Sequence, residues 1–416
     1  MPRPTSDCRA TERKHPWPMV RLGDVCEDKI LRIKSIGEPN IAYIDIASID
    51  NVQKRVVGVK EYDVEDAPGR AQQVVVPGDV LVSNVRPNLN AVAIVDVASA
   101  IPLIASTGFC VLRVKDTVLP EYVYYYVQTS DFIDPLVAVS EKASYPSVTD
   151  TIVKNSLIPL PPLSVQSEIV ARLERELAAV EKMKKGFEAL AETAKAEFKA
   201  ELKEVFEEIS RGGAYPPAEG CPRSGCPSRG ETRRLGEIGR VAMCKRVLKA
   251  QTSENGDVPF FKIGTFGKEP NAYISNELFR EFVKKFSYPK KGDVLISAAG
   301  TIGRTIVFDG KPSYFQDSNI VWLEHDGTKV TNEYLHCFYW SKPWKVSDGA
   351  TIPRIYNGDI ESVEIPLPSL PVQRQIVARL DAAKARAEKL EAKAREGVAV
   401  CETMRKAILK EAFEGG

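Results

Sequence analysis

Two segments of the chain combine one arginine with several short hydrogen-bonding side chains, a mixture that suits recognition of nucleic-acid base edges. They are SNVRPNLN (Ser83–Asn90) and SAAGTIGRT (Ser297–Thr305), and each overlaps the end of a matching GDVL-containing sequence. Arginine pairs with guanine and asparagine with adenine. A solvated hairpin at each place is the alternative interpretation. The candidate DNA-binding residues in these segments are Asn84, Arg86, Asn88, Asn90, Ser297, Thr301 and Arg304.

Further cations lie near the second segment. Lys290 and Lys291 precede its strand and are candidates for contacts with phosphate groups. Arg354 lies in ATIPRIY (Ala350–Tyr356), which matches ASYPSVT (Ala143–Thr149) in the first half, and is a further candidate for DNA binding. The GTIG sequence lacks the Gly-Lys-Ser/Thr ending of a phosphate-binding loop. GTIG is therefore not a phosphate-binding loop. For the lysines, solvated surface charges are the alternative interpretation to contacts with phosphate.

No catalytic motif accompanies these candidates. The sequence has no Walker A loop, no Asn/Asp-Pro-Pro-aromatic tetrapeptide, no glycine-rich cofactor fingerprint after a strand and no Gly-x-Ser-x-Gly. Its three histidines, His15, His325 and His336, are scattered and offer little material for acid–base or metal chemistry. We therefore expect a binding protein without catalytic residues.

The eight cysteines show no spacing typical of a disulfide framework. Cys221 and Cys226 lie in a segment rich in Gly, Pro and Ser, for which a flexible linker is expected. A structural zinc site needs four ligands, and no second cysteine pair follows at suitable spacing. We expect free thiols, no metal, and a reduced, cytoplasmic chain.

Composition indicates a globular protein of two or three domains. The chain has 416 residues, of which 44% are hydrophobic and 27% are charged. No apolar run reaches the roughly 18 residues that a membrane span needs, and the first residues lack the apolar core of a signal peptide. Residues 21–165 carry 13 Lys and Arg against 18 Asp and Glu, whereas residues 240–316 carry 13 against 7. Only the second half shows the basic balance typical of nucleic-acid binding.

A long internal repeat organises the chain. IPLPPLSVQSEIVARL (Ile158–Leu173) returns 207 residues later as IPLPSLPVQRQIVARL (Ile365–Leu380), with 12 of 16 positions identical. AELKEVFE returns as AILKEAFE at the same offset, and VRLGDV is echoed more faintly by RRLGEI. The pattern predicts two variable globular parts, each followed by a similar helix.

Apolar residues recur at three-and-four spacing after each Pro-rich segment, which indicates helices of about 40–44 residues, or roughly 60–65 Å. Each helix has one apolar stripe, so we expect the two to pair as an antiparallel coiled coil within the chain. The Pro-rich segments should leave each globular part as a last extended strand. The positions predicted to form the coil or dock a partner are Ile169, Leu173, Leu190, Leu202, Ile376, Leu380, Leu390 and Ile408.

Both globular parts contain short β-rich runs broken by turn residues, followed by an aromatic helix, so each is predicted to be a mixed α/β (α+β) domain. The predicted organisation is a flexible segment at 1–19, a first domain at 20–160, a helix at 161–210, a linker at 211–232, a second domain at 233–367 and a helix at 368–416.

Several features occur together along the chain. They are the repeated Pro-rich segment with its helix, RPNLN after GDVLVS, the GDVLIS and GTIGRT sequences, and ILKEAFEGG. In these features the chain resembles the specificity subunit of type I restriction–modification systems over nearly its whole length. The resemblance implies two target-recognition domains, similar to those of adenine methyltransferases, held apart by two antiparallel helices. Each domain would recognise one half of a bipartite site in double-stranded DNA.

The resemblance also implies partners. Two methyltransferase subunits that bind S-adenosylmethionine would dock on the helices, and restriction subunits would supply ATP- and Mg-dependent translocation and cleavage. The chain itself would be non-catalytic, hold no cofactor and work in a prokaryotic cytoplasm. The helices would set a spacing between half-sites of about one to two turns of DNA, each ~34–36 Å.

Two rival interpretations remain at this stage. A coiled-coil scaffold without a nucleic-acid role would explain the helices and the acidic first domain, but not the Arg- and Asn-bearing segments. An enzyme acting alone has no motif to support it.

Overall fold

The computed structural model describes residues 16–141, 146–211, 231–341, 344 and 354–414. The chain divides into two compact units. The first unit comprises residues 1–188 and 395–416, and the second comprises residues 189–394. Each unit therefore takes part of its chain from each of the two long helices.

The elements before the linker are mostly short strands built from β-branched and aromatic residues, followed by helices. In chain order they are β1 (Met19–Arg21), β2 (Asn40–Ile44), β3 (Ile49–Asp50), β4 (Arg55–Val56), β5 (Lys60–Asp63), β6 (Ala71–Val75), β7 (Val80–Ser83), β8 (Val92–Ile94), β9 (Leu103–Ser106), β10 (Phe109–Leu112), α1 (Pro120–Tyr126), α2 (Ser130–Ser140), α3 (Asp150–Asn155), β11 (Leu157–Pro159) and α4 (Leu163–Ser210).

Two sheets form the globular part of the first unit. One has the order β10-β7-β8-β4-β3 and the other β5-β2-β9-β6. Strand β7 pairs antiparallel with both β8 and β10, and all four of its residues are buried. The first Pro-rich segment forms β11, which pairs antiparallel with β1. This short ribbon leads directly into α4, as the sequence predicted.

The elements after the linker repeat this plan with fewer strands. They are β12 (Glu231–Arg234), α5 (Leu235–Ile238), β13 (Arg240–Met243), β14 (Val258–Phe261), β15 (Tyr273–Ile274), α6 (Asn276–Lys285), β16 (Val294–Ser297), β17 (Thr305–Val307), β18 (Tyr314–Phe315), β19 (Ile320–Glu324), α7 (Asn332–Trp340), α8 (Asn357–Glu361), β20 (Glu364–Leu367) and α9 (Leu370–Glu414).

The sheets of the second unit have the orders β13-β19-β16-β17 and β15-β14-β18. Strand β16 lies between antiparallel neighbours, as β7 does in the first unit. The second Pro-rich segment forms β20 and pairs antiparallel with β12 before α9 begins. The repeat seen in the sequence is thus a repeat of structure.

The two long helices are slightly longer than predicted. Helix α4 has 48 residues and α9 has 45, which corresponds to roughly 72 and 68 Å at 1.5 Å per residue. Each helix begins next to a proline, Pro162 before α4 and Pro371 in the first turn of α9. The fixed φ of proline is tolerated at the first turn of a helix.

The helices run antiparallel within each unit. In the first unit the early part of α4 contacts the late part of α9, where Arg172 donates to Glu411 at 2.8 Å. In the second unit the late part of α4 contacts the early part of α9, where Arg379 and Arg386 both pair with Glu201, at 3.0 and 3.2 Å. The predicted antiparallel pairing of the two helices is confirmed.

Most predicted coil positions lie on the buried stripe. Leu173, Leu202, Ile376 and Leu380 are at most 4% exposed, and Ile169, Leu390 and Ile408 are partly buried. Leu190 is the exception.

Leu190 is 37% exposed. The buried stripe of α4 passes instead through Ala194, which is 1% exposed, and through the partly buried Ala191. Spacing in sequence placed Leu190 on the stripe, whereas the phase of the helix turns it toward solvent. Leu190 is therefore an apolar side chain of α4 that faces solvent.

Candidate nucleic-acid interface

Each unit presents a loop at the same place in its fold. The first loop (84–90) follows β7 and the second loop (298–304) follows β16. In the first unit Val85 forms an isolated β-bridge with Ser147, and in the second Ala299 forms the equivalent bridge with Arg354. The structure therefore brings Arg354 to the second loop, a proximity that the sequence did not predict.

The first loop turns some of its polar side chains inward. Asn84 is 8% exposed and its Nδ2 donates to the Asp150 carboxylate at 2.6 Å, which ties the loop to the start of α3. Asn90 is partly buried, and its Nδ2 donates to the carbonyl of Gln128 at 3.3 Å. These contacts give both asparagines a role in shaping the loop.

The first loop presents Arg86 and Asn88 outward, where both are exposed. Arg86 has φ 51°, in the left-handed region. Residues other than glycine, asparagine and aspartate adopt this region at a cost in free energy. A hydrogen bond from the backbone N–H of Arg86 to the carbonyl of Pro146, at 2.8 Å, holds it there. The fold thus fixes the backbone of an arginine whose side chain faces solvent.

The second loop is closed by a buried serine. Ser297 is 1% exposed; its Oγ donates to the carbonyl of Thr301 at 2.5 Å and accepts from the backbone N–H of Arg304 at 2.9 Å. Gly300 and Gly303 have φ of 67° and 74°, which a side chain would oppose. Thr301 and Arg304 are exposed, so they are the loop's outward polar groups.

Arg304 is also anchored. Its Nη1 donates to the carbonyl of Phe266 at 2.9 Å, which leaves the rest of the guanidinium fork available to a ligand.

A polar cleft of about 300 Å³ lies in the second unit, and Arg354 forms part of its wall. Three further cations, Arg246, Lys249 and Lys262, line it together with the segment from Gln316 to Asn319. Arg246 pairs with Asp317 at 2.9 Å. The other three cations have no carboxylate within ion-pair distance among the described residues, so the cleft carries an excess of positive charge suited to phosphate.

Arg354 holds a fixed place in this cleft. Its Nη2 donates to the carbonyl of Ser318, a residue with φ 60°, and its guanidinium lies 5.9 Å from the ring centre of Tyr356. The sequence showed a surplus of cations between residues 240 and 316. It did not show which cations line one cleft with Arg354, because the cleft residues come from four separate segments.

Lys290 and Lys291 do not line this cleft. The backbone N–H of Lys290 donates to Asp293 at 2.7 Å in the turn before β16. The side chain of Lys291 lies beside Gly310. Both lysines are exposed, and their role in binding phosphate stays a prediction.

Other kinds of site find no support in the part of the chain that the structure describes. No group of three or more His, Cys, Asp or Glu residues there could hold a metal ion, and no helix there combines the length and apolarity needed to cross a membrane. Cys221 and Cys226 lie outside the described residues. The five described cysteines are buried free thiols.

A family model described as "Type I restriction modification DNA specificity domain" matches the chain twice, at residues 14–187 and 227–398. The two matches follow the two halves of the structural repeat. The chain belongs to this family of specificity domains.

The chain is also similar to curated specificity subunits of type I restriction enzymes. A putative type I restriction enzyme specificity subunit of Haemophilus influenzae is 44% identical over 277 residues, which is 65% of this chain and 66% of that relative. The type I restriction enzyme MjaIX specificity subunit of Methanocaldococcus jannaschii is 22% identical over 370 residues, covering 86% of this chain and 84% of the relative.

Solved structures agree. A chain from a study of complex assembly and conformational transition of the type I R-M system superposes with a TM-score of 0.76 and 28% identity, covering 96% of this chain and 98% of that one. The HsdS subunit from Thermoanaerobacter tengcongensis superposes with a TM-score of 0.56 and 28% identity, covering 97% and 99%.

Proposed function

We propose that this chain is the non-catalytic DNA-recognition subunit of a type I restriction–modification complex. One observation carries the proposal beyond family membership. Both units place a loop after the equivalent antiparallel strand, bridge it to the segment before the Pro-rich strand, and leave one arginine of the loop exposed, Arg86 in the first unit and Arg304 in the second. A scaffold without a nucleic-acid role would not need this arrangement twice.

Each unit recognises one half of a split site in double-stranded DNA. In the first unit Arg86 and Asn88 contact base edges, and in the second unit Thr301, Arg304 and Arg354 do so. Phosphate contacts position a protein on the duplex while base contacts specify the sequence. The other cations of the cleft, Arg246, Lys249 and Lys262, supply phosphate contacts for the second unit.

The long helices carry the partner subunits. Two copies of one methyltransferase subunit need two similar surfaces on a single asymmetric chain, which explains why the helices repeat closely while the loops diverge. The methyltransferase subunits supply S-adenosylmethionine-dependent chemistry. Restriction subunits supply the steps that use ATP and Mg. The complex works in a prokaryotic cytoplasm.

The partner subunits also contribute to the affinity of the complex for DNA. Residues 21–165 carry a net charge of −5, from 13 Lys and Arg against 18 Asp and Glu, and phosphate contacts dominate non-specific affinity. The chain alone therefore binds DNA weakly. Titration of one fluorescent duplex with the chain alone and with its methyltransferase complex tests this, and equal affinities would contradict it.

A methylation map tests the function itself. The chain is co-expressed with its neighbouring methyltransferase subunit in a host that lacks adenine methylation, and the modified bases are sequenced. A split motif with a fixed unspecified gap is expected, and exchange of residues 20–160 for those of a relative should change one half only. A soluble complex that methylates nothing would favour the scaffold, and an unsplit motif would mean that one unit alone recognises DNA.

A further inference from the structure

The first loop is connected by hydrogen bonds to the late part of α9. The connection runs through Asn90, Gln128 and Arg405, all within the first unit. Asn90 Nδ2 donates to the backbone carbonyl of Gln128 at 3.3 Å, and Arg405 Nη2 donates to the side-chain Oε1 of the same glutamine at 2.6 Å. Gln128 is 8% exposed, so these bonds form in a site largely shielded from water.

A second branch reaches the same loop. Lys54, 9% exposed, donates from Nζ to the backbone carbonyl of Asn90. Its own carbonyl accepts from the hydroxyl of Tyr124 at 2.9 Å, and the carbonyl of Tyr124 accepts from Gln128 Nε2 at 2.9 Å. Gln128 therefore holds Asn90 directly and also through Tyr124 and Lys54.

The backbone at both ends of this network is in an unusual conformation. Lys54 has φ 55° and Asn90 has φ 45°. Left-handed residues of this kind persist where the surroundings hold them. Asn90 is the last residue of the first loop, and Arg86, four residues earlier, is left-handed too. The direction of the exposed Arg86 and Asn88 thus depends on where Asn90 is held.

No such connection occurs among the described residues of the second unit. Phe198 stands eight residues before Phe206, as Arg405 stands eight before Phe413, and Trp340 follows Tyr334 by six residues, as Gln128 follows Tyr122. At that equivalent place the rings of Phe198 and Trp340 pack edge to face, with centroids 5.8 Å apart. An aromatic contact occupies the place that the hydrogen bonds have in the first unit.

We propose that Arg405 is a positioning residue for the first recognition loop, acting through Gln128 to fix Asn90 and with it the orientation of Arg86 and Asn88 toward DNA. This inference rests on the proposed function. Since α9 is also a helix that the proposed function assigns to partner docking, recognition by the first unit depends on this helix, and recognition by the second unit does not depend on an equivalent bond.

The test uses the reconstituted complex and duplexes that carry the methylated motif, with single-base changes in one half or the other. Arg405→Met is expected to reduce discrimination against changes in the first half by roughly tenfold, the size of one good base contact. Discrimination in the second half should match the wild type. Arg405→Lys keeps a donor and should restore part of the loss.

Lys406→Met is the matched control, because it removes one positive charge at the next, exposed position. It should leave both halves unchanged. Equal losses in both halves for Arg405→Met, or no loss in the first half, would overturn the inference while leaving the proposed function intact. A wild-type complex that discriminates in neither half would overturn the proposed function, and the inference with it.

Hydrogen exchange of the DNA-free chain gives a second measurement. Arg405→Met should speed exchange of amides in residues 84–90, with no such change in residues 298–304. Unchanged exchange in both loops would count against a positioning role.

Discussion

Gln166 and Gln373 lie 207 residues apart and make the same three hydrogen bonds. Both are 0% exposed. Gln166 donates to the carbonyls of Thr117 and Pro161 and accepts from the backbone N–H of Leu119, at 3.3, 2.9 and 2.8 Å.

Gln373 donates to the carbonyls of Lys329 and Pro368 and accepts from the N–H of Thr331, at 2.8, 2.9 and 3.0 Å. Each glutamine joins the start of a long helix to the segment before the aromatic helix of its unit. Both copies of the repeated segment have glutamine at this position. In each copy that one side chain satisfies three backbone groups where the long helix joins its globular part.

Replacing either glutamine should therefore destabilise its own unit. Gln166→Leu removes three hydrogen bonds and leaves buried backbone groups unpaired, so we expect a loss of about 3 kcal/mol in the free energy of unfolding. Urea denaturation followed by circular dichroism measures it. Ser167→Ala, at the adjacent exposed position, should change stability by less than about 0.5 kcal/mol. A neutral Gln166→Leu would contradict the role of the junction.

Gly397 should not tolerate a side chain. A Cβ there would lie 2.5 Å from the ring of Phe187, which packs against it within the first unit. Gly397→Ala should destabilise the protein by about 1–3 kcal/mol, although alanine favours a helix.

The matched control is Gly186→Ala, where nothing lies within 4 Å of the added atom. This variant should stabilise helix α4 by about 0.5–1 kcal/mol. Phe187→Leu should relieve part of the cost of Gly397→Ala, and a simple sum of the two single effects would show that the two residues are not in contact.

Lys54 should make stability depend on pH. Burial, then the positive charge of Arg405, lower its pKa from 10.5 to about 8, against the opposing effects of Glu402 and Asp50. Between about pH 8 and 10.5 the unfolded chain binds more protons at this residue, so its contribution to stability rises with pH. The melting temperature of the wild type relative to Lys54→Met should increase from pH 8 to pH 10. A difference that is constant over this range would disprove the shift.

The cleft in the second unit should control the salt dependence of DNA binding. Lys249→Gln removes one cation of the cleft and should weaken binding of the complex to cognate and non-cognate duplexes alike. The slope of log affinity against log salt should fall by about one. Lys285→Gln, which alters an ion pair with Glu281 on α6, should leave the slope unchanged. A loss confined to one sequence would instead assign Lys249 to base recognition.

The described cysteines should be slow to react with thiol reagents. Burial raises the pKa of Cys26 to about 11 and the pKa values of Cys244 and Cys337 to about 12, and the thiolate is the reactive form. In a variant with Cys8, Cys221 and Cys226 changed to serine, the native chain should take up little reagent at pH 7.5. Rapid reaction before unfolding would show that a buried thiol is accessible.

The repeat and the helical stripes could be predicted from the sequence because both are local patterns. Leu173 and Ile376 lie where the spacing placed them. The candidate site was only partly predictable. The sequence alone does not distinguish an Arg or Asn whose side chain faces solvent from one whose side chain closes a turn. Burial of Asn84 and Ser297, and the presence of Arg246 and Arg354 in one cleft, depend on tertiary contacts between distant segments.

The division of the chain into units has a consequence for its synthesis. The core of the first unit includes Leu409, Ala412 and Phe413, and Phe413 packs on Tyr122 and Tyr126 with ring centroids 5.0 and 5.2 Å away. The ribosome makes these residues after the whole of the second unit. The second unit can therefore complete its core first. The first unit begins earlier in the sequence, but part of its apolar core stays exposed until the late part of α9 has been synthesised.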